Sequence, residues 1–252
     1  MANRGSTYSM GHEYLSSDSV EYWDFSFHEI GIYDISANMD MITKLTGHVK
    51  MHIITHSQGS TSLLALLCVL PEYQDKIISG NLLAPIVFLE HATLILIPLL
   101  KQFVSEIWFL GKALQLNRGV FTYNPLYTEI GVLLCHETSP IIELCINAFG
   151  ICGNNPTQLN ASMITRILSN SPAGGSFKSL IHYLQLAKAN CFQHFDYGLR
   201  NLHIYGQFHP PAYNLSSIKT HLLIWFGRND CLAGAKVSLF ILNLLLLFDF
   251  LL

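Results

Sequence analysis

The chain of 252 residues is long enough to bury one large core and to carry an inserted subdomain. Half of its residues are hydrophobic and only 12% are charged, which is about half the usual charged share. Its net charge of −3, with lysines and arginines scattered singly, gives no electrostatic case for binding nucleic acid. This composition indicates a protein that handles apolar partners, or one that lacks part of its own surface.

The first predicted elements form a helix followed by a strand, a sharp turn and a second helix. Residues 21–46 predict an irregular segment and then a helix that stops at Gly47. Its apolar residues recur at helical spacing: Ile35, Met39, Ile42 and Leu45. The β-branched apolar run 49–55 predicts a strand, and residues 60–70 resume a helical pattern before a proline.

A second buried strand is predicted over residues 78–87, and the character of the chain then changes. Residues 88–214 are apolar helices punctuated by turn signals, which indicates an inserted helical subdomain. The stretch 89–114 is strongly apolar, but charged residues and a proline interrupt it, so it predicts an amphipathic cap helix and not a membrane span.

The last predicted strand lies in residues 218–230, another buried apolar run, and it ends at Asp230. Residues 236–252 are leucine-rich with no turn signal, and they are too short and interrupted for a membrane anchor. We therefore expect these last residues to lie outside the ancestral fold.

The turn after the first strand carries the sequence "THSQGST", residues 55–61. A serine between a strand and a helix, followed two residues later by glycine, is typical of the nucleophile elbow of an α/β-hydrolase. Ser57 is the candidate nucleophile, and the backbone N–H of Gln58 would form half of an oxyanion hole. Gly59 fits the pattern, whereas Thr55 stands where a glycine normally relieves crowding.

A serine hydrolase of this kind also needs an acid and a histidine, in that order after the serine. Asp230 is well placed for the acid, although an aspartate after a strand is also a common turn residue. All twelve histidines lie at or before His221, so none follows Asp230. Without a general base, a serine remains a weak nucleophile.

Six cysteines occur and none forms a CxxC pair, which argues against a zinc site or a thioredoxin-like motif. Three of them cluster at Cys135, Cys145 and Cys152, where either one local disulfide or buried thiols would fit. Asn160 and Asn214 begin glycosylation sequons, which matter in a secreted protein. The first residues of the chain contain no apolar stretch of a secretory signal.

Several longer motifs, in order, resemble the acid lipases, the family of gastric and lysosomal lipases, up to about residue 235. "NRGSTYS" is similar to the family's Asn-x-Arg-Gly-Asn-x-Tyr-Ser segment, and "YWDFSFHEIGIYDISANMDMI" to its Phe-Trp-x-Phe-Ser-x-x-Glu-Met-Gly-x-Tyr-Asp block. "THSQGST" corresponds to Gly-His-Ser-Gln-Gly-Thr. "NSPAGGSFKSLIHYLQ", "PPAYNLSSI" and "GRNDCLA" match later segments of the family.

The resemblance implies a partial α/β-hydrolase fold with a helical cap that hydrolyses fatty-acyl esters such as triacylglycerols or sterol esters. It assigns Ser57 as nucleophile, Gln58 as oxyanion donor and Asp230 as triad acid. It also implies a disulfide between Cys135 and Cys145, with Cys152 as a competitor. Family members often carry glycans where Asn160 and Asn214 lie. No cofactor or metal is implied; the setting is secreted or lysosomal, at a lipid interface.

The chain departs from the family at three places that bear on activity. No histidine matches the family's Asn-His-x-Asp-Phe motif, and the second oxyanion donor and first strands of the family lie upstream of the first residue. The chain is therefore expected to be truncated at both ends and impaired as an enzyme. The alternatives are an inactive relative that binds lipid or another partner, and a non-functional truncated product.

These observations divide the chain into four segments. Residues 1–87 are the predicted hydrolase core with the elbow at 55–59, and 88–214 are the helical cap or lid. Residues 215–235 return to the core with the triad acid, and 236–252 are the apolar tail outside the family.

Overall fold

The computed structural model describes residues 2–89, 92, 94, 96–150 and 160–246. Its main sheet has three parallel strands in the order β1–β2–β5: β1 Met51–His56, β2 Ile77–Leu83 and β5 Leu222–Trp225. Two short strands, β3 Gly119–Val120 and β4 Gly175–Ser176, form a separate antiparallel pair. The α/β class predicted from the sequence is confirmed.

The α-helices are the commonest regular elements of the described chain. In order they are α1 Phe27–Glu29, α2 Ser36–Thr46, α3 Gln58–Val69, α4 Leu96–Leu100, α5 Val104–Ala113, α6 Pro125–Leu134, α7 Ile142–Gly150, α8 Ala161–Asn170, α9 Phe177–Ala189, α10 Asn201–Tyr205 and α11 Ala235–Leu246. A six-residue π-helical segment, Ile30–Ile35, joins α1 to α2.

The helix that follows the sharp turn, α3, lies at the centre of the main core. Its leucines are fully buried: Leu63, Leu64, Leu66 and Leu67. Gly31, in the π-helical segment, allows the backbone to approach α3 closely, because a Cβ there would lie 2.3 Å from the carbonyl oxygen of Ser62. The core therefore requires close contact between α3 and the segment that precedes the sheet.

The predicted strand, turn and helix over residues 49–70 are confirmed by β1 and α3, and the second predicted strand by β2. The predicted helix ending at Gly47 is also present, with Gly47 in the left-handed conformation at the C-cap. Its apolar stripe is only half buried, since Ile42 is 46% and Leu45 77% exposed. Helical spacing predicted one apolar face correctly but not what covers it.

Two further predictions are corrected by the structure. The third strand was expected to be buried, but β5 alternates and leaves Trp225 55% exposed. In the described part of the chain β5 pairs only with β2, so this outer strand is not covered on both sides. The single helix expected over 89–114 is divided into α4 and α5 by a 3₁₀ turn at Lys101–Phe103.

The other outer strand, β1, is also open to solvent along one edge. Within the described residues β1 pairs only with β2, and Ile54 is 71% exposed. An unpaired edge with an apolar side chain favours self-association. Self-association through the open edge of β1 is therefore expected to limit the solubility of the chain.

The last helix packs into the core in spite of its tail-like sequence. In α11, Val237 and Ile241 are buried in the same cluster as α3. None of the helices that the structure describes is both long and apolar enough to cross a membrane. The origin of residues 236–252 and the cap boundaries remain predictions.

Candidate functional site

Ser57 lies at the point where β1 ends and α3 begins. Its backbone has φ 51° and ψ −121°, which is outside the common regions for a residue other than glycine. The Ser57 N–H donates to the carbonyl of Leu83 at 2.8 Å, and the Ser57 carbonyl accepts from Ser60 at 2.9 Å. This strained strand-to-helix turn on a parallel sheet is the arrangement of an α/β-hydrolase elbow, here with part of the sheet.

Thr55 is accommodated next to the turn. Its hydroxyl lies 2.9 Å from the hydroxyl of Ser60 on α3, so the polar atom of the side chain has a partner. A Cβ placed on Gly59 would be 3.8 Å from the Thr55 Cβ, an ordinary contact distance. Crowding at the position where the motif has a glycine is therefore relieved by the local packing.

Gln58 is the first residue of α3, directly after the serine. Helix-forming N–H groups of the first turn have no intrahelical partner, so they are available to an anion. Within the described residues the Gln58 N–H makes no hydrogen bond. It is thus free to act as one donor of an oxyanion hole.

Asp230 follows β5 at the same end of the sheet as Ser57, because the strands are parallel. The Ala84 N–H donates to the Trp225 carbonyl at 2.7 Å, which joins the ends of β2 and β5 beside the elbow. Asp230 Oδ1 accepts from the N–H groups of Leu232 and Ala233, each at 2.8 Å. This is the bonding of a turn aspartate, and no hydrogen bond joins Asp230 to Ser57 among the described residues.

No histidine in the described part of the chain hydrogen-bonds to Ser57. His56, its neighbour in sequence, is exposed. His91 lies outside the described residues, as does the tail beyond Leu246. Among the described residues, the structure thus brings a nucleophile position and an acid to one end of the sheet, with no histidine hydrogen-bonded to the serine.

The helical region carries the predicted disulfide and sequon residues. Cys135 and Cys145 are joined by a disulfide, while Cys152 lies outside the described residues. Asn160 caps α8 by accepting from the N–H of Ser162, and Asn214 accepts from the hydroxyl of Ser216 at 2.6 Å. Both asparagines are exposed, so both are accessible to a modifying enzyme.

A cluster of three histidines in the described part of the chain was not predicted from the sequence. His28 and His194 contact Tyr213, and His182 nearby contacts Ser26 and Phe27. The indication present in the sequence is that the chain has twelve histidines, whereas a catalytic triad needs one. Burial lowers the pKa of His182 to about 3 and that of His194 to about 4, so both are neutral near pH 7.

Comparison with known proteins finds no matching family model. Lipase 1 of Drosophila melanogaster is 34% identical over 236 residues, which is 92% of this chain and 51% of that protein. Gastric triacylglycerol lipase of Bos taurus is 33% identical over 96% of this chain and 60% of that protein. Lysosomal acid lipase/cholesteryl ester hydrolase of Rattus norvegicus is 32% identical over 93% and 58% respectively. The chain thus spans about half to three-fifths of these relatives.

Two of the solved structures that align with the chain are distant matches. A protein described as a non-heme bromoperoxidase from Mycobacterium tuberculosis aligns with 88% of this chain and 62% of its own, at TM-score 0.44 and 13% identity. An α/β fold family hydrolase from Bacillus anthracis aligns with 91% of this chain and 66% of its own, at TM-score 0.38 and 12% identity. Structural similarity of this degree adds no argument to the sequence similarity with the lipases.

Proposed function

Because the chain belongs to the acid lipase family, we propose that it is a serine ester hydrolase of the lipase type, with fatty-acyl esters as its substrates. Ser57 is the nucleophile, the Gln58 N–H is an oxyanion donor, and Asp230 is the acid of the triad. The observation that carries the proposal is the Ser57 backbone, held at φ 51° between a parallel strand and a buried helix.

The chemistry follows from that position. The hydroxyl of Ser57 would attack the ester carbonyl, and the developing oxyanion would be stabilised by N–H groups at the start of α3. The bond from the carbonyl carbon to the alcohol oxygen would then break, the alcohol would leave with the proton given up by the serine, and water would cleave the acyl–serine bond to release a fatty acid. Asp230 would orient and stabilise a protonated histidine, so its role requires a base that the described residues do not supply beside Ser57.

A lipid substrate is supported by the surface of the helical region. α6 exposes an apolar row at helical spacing that includes Leu126, Ile130 and Leu133. Apolar side chains grouped on one surface mark a site for an apolar partner. The names of the relatives include triacylglycerol lipase and cholesteryl ester hydrolase, which supports the same substrate class and a secreted or lysosomal setting.

Turnover by these residues alone is expected to be slow. A serine without a general base loses several orders of magnitude in rate, about 10⁶-fold where a triad histidine is removed. The proposal is thus a lipase-type site that contributes nucleophile, one oxyanion donor and acid. The second candidate is a protein that binds lipid without hydrolysing it, favoured by the same apolar surface and by the absence of a base at Ser57 in the described residues.

Hydrolysis of p-nitrophenyl esters of short and long acyl chains separates the two candidates. We expect weak hydrolysis that added imidazole accelerates, since imidazole supplies a base, and that Ser57→Ala abolishes. Ser169→Ala, an exposed serine on α8, is the matched control and is expected to change nothing. If hydrolysis is independent of Ser57 with and without imidazole while a fluorescent fatty acid still binds, the second candidate stands.

A further inference from the structure

Two histidines from distant parts of the chain meet at one tyrosine, and a third lies close to them. His28 lies on α1, His182 on α9, and His194 in the segment that follows α9. His28 Nδ1 is 2.7 Å from the Tyr213 hydroxyl, and the His28 and His194 rings are 4.8 Å apart. The His194 ring stacks on the Tyr213 ring at 4.4 Å. We refer to His28, His182, His194 and Tyr213 as the histidine joint.

His182 connects the histidine joint to the hydrophobic core. It is fully buried, and its ring stacks on Phe27 with centroids 4.0 Å apart. His182 Nε2 lies 2.9 Å from the Gln193 carbonyl, which can only accept, so this nitrogen carries the proton. Nδ1 lies 3.0 Å from the Ser26 hydroxyl. The Ser26 hydroxyl carries one proton, and by donating it to Nδ1 it lets a neutral imidazole make both contacts, which link α9 to Ser26 and Gln193.

A proton on the outer two rings would disturb this arrangement. His28 and His194 are partly buried, and as cations they would face each other across 4.8 Å. At that separation two like charges in a protein interior repel strongly. The stack of His194 on Tyr213 and the bond of His28 to the same residue would both be affected.

The charged groups around the joint do not cancel this effect. Glu29 on α1 favours the charged form of His28 and His194, whereas Lys178 on α9 opposes the charged form of His28 and His182. The tyrosines nearby, Tyr197, Tyr205 and Tyr213, contribute no charge near neutral pH. Burial is the largest cause in each case, and it lowers the pKa of all three histidines.

We propose that the histidine joint is a pH-sensitive latch that holds residues 191–213 against α1 and α9 near neutral pH and releases them in acid. The folded state keeps the rings neutral, whereas the unfolded chain takes up protons below a pH of about 6.5. Each histidine then lowers the equilibrium constant for folding by up to roughly tenfold for each pH unit by which the pH falls. For His194 this window extends down to a pKa of about 4. The latch does not depend on the proposed hydrolysis.

The test compares unfolding by urea between about pH 7.5 and about pH 4.5 in three proteins. In His28→Asn/His194→Phe, the amide can still bond to Tyr213 and the phenyl ring can still stack on it, but neither titrates. His203→Gln, an exposed histidine on α10, is the matched control. In the control, the equilibrium constant for folding is expected to fall as the pH is lowered. In the double variant we expect this fall to be smaller, by up to roughly a hundredfold per pH unit. Hydrogen exchange is expected to open residues 191–213 before α3 in the unaltered chain as the pH falls.

Equal pH dependence in the double variant and the control would overturn the proposal, as would exchange that opens α3 first. Because the variant could fail to fold, NMR titration of the histidine ring protons in the unaltered chain gives a second test. A His194 ring that titrates near pH 6.5 contradicts the latch, and one that titrates well below it supports the latch.

Discussion

The elbow at Ser57 and the histidine joint use polar side chains in opposite ways. At the elbow, a strained backbone presents a serine whose hydroxyl has no partner among the described residues. In the joint, the rings of His28, His182 and His194 are each bonded or stacked. The residue type that the elbow needs as a base is present twelve times in the chain, yet these three copies act in packing. Proximity to the reacting atom, and not composition, decides whether a histidine is catalytic.

The largest expected effect is a loss of stability when a buried ring next to the histidine joint is removed, compared with the removal of an exposed ring. Phe27→Ala removes a fully buried ring that stacks on His182. It should lower the free energy of unfolding by about 3–5 kcal/mol, because a large cavity replaces the ring. Urea unfolding near neutral pH measures this loss.

The control for that loss is Phe109→Ala, since Phe109 is exposed on α5. This change is expected to alter stability by about 0.5 kcal/mol or less. Equal effects of the two changes would mean that the joint is not part of the stable core.

An intermediate effect is expected at Ser26, which connects the joint to α1. The Ser26 hydroxyl accepts from the His28 N–H and lies 2.9 Å from a Glu29 carboxylate oxygen and 3.0 Å from His182 Nδ1. Ser26→Ala should cost about 2 kcal/mol, since it removes the helix cap and leaves buried polar atoms without a partner. Thermal unfolding against Ser169→Ala, which is exposed, measures it, and a cost no larger than that of the control would contradict the assigned bonding.

The smallest effect is expected at the elbow itself. Thr55→Gly restores the residue of the motif but removes the hydroxyl that bonds to Ser60. It should lower stability by about 1 kcal/mol and leave the reactivity of Ser57 unchanged, because the described residues place no base beside Ser57 and the glycine does not supply one. Thr55→Ser, which keeps the hydroxyl, should cost less. A marked rise in hydrolysis with Thr55→Gly would show that crowding had limited the site.

The elbow could be predicted from sequence because its information is local. Residues 51–61 contain the strand, the turn and the start of the helix, and the structure has all of them in that order. The joint could not be predicted, since His28 and His182 are far apart in sequence and meet only through the packing of α1 and α9. A lone histidine in an apolar helix gives no signal of its partner.

Exposure was the other quantity that the sequence did not determine. Ile42 and Leu45 share the apolar face of Ile35 and Met39, yet only the latter two are covered. The same holds for β5, where an apolar run predicted burial but every second residue of the strand is exposed. Periodicity indicates which face is apolar, but coverage depends on which strands and helices lie beside it.

The rate at which a fluorophosphonate labels Ser57 tests the central claim most directly. We predict labelling at least about 10⁴-fold slower than in a gastric lipase relative measured in parallel, because no histidine in the described part of the chain hydrogen-bonds to the Ser57 hydroxyl. The weak labelling that remains should disappear in Ser57→Ala and persist in Ser169→Ala. Labelling as fast as in the relative, and lost in Ser57→Ala, would contradict the account.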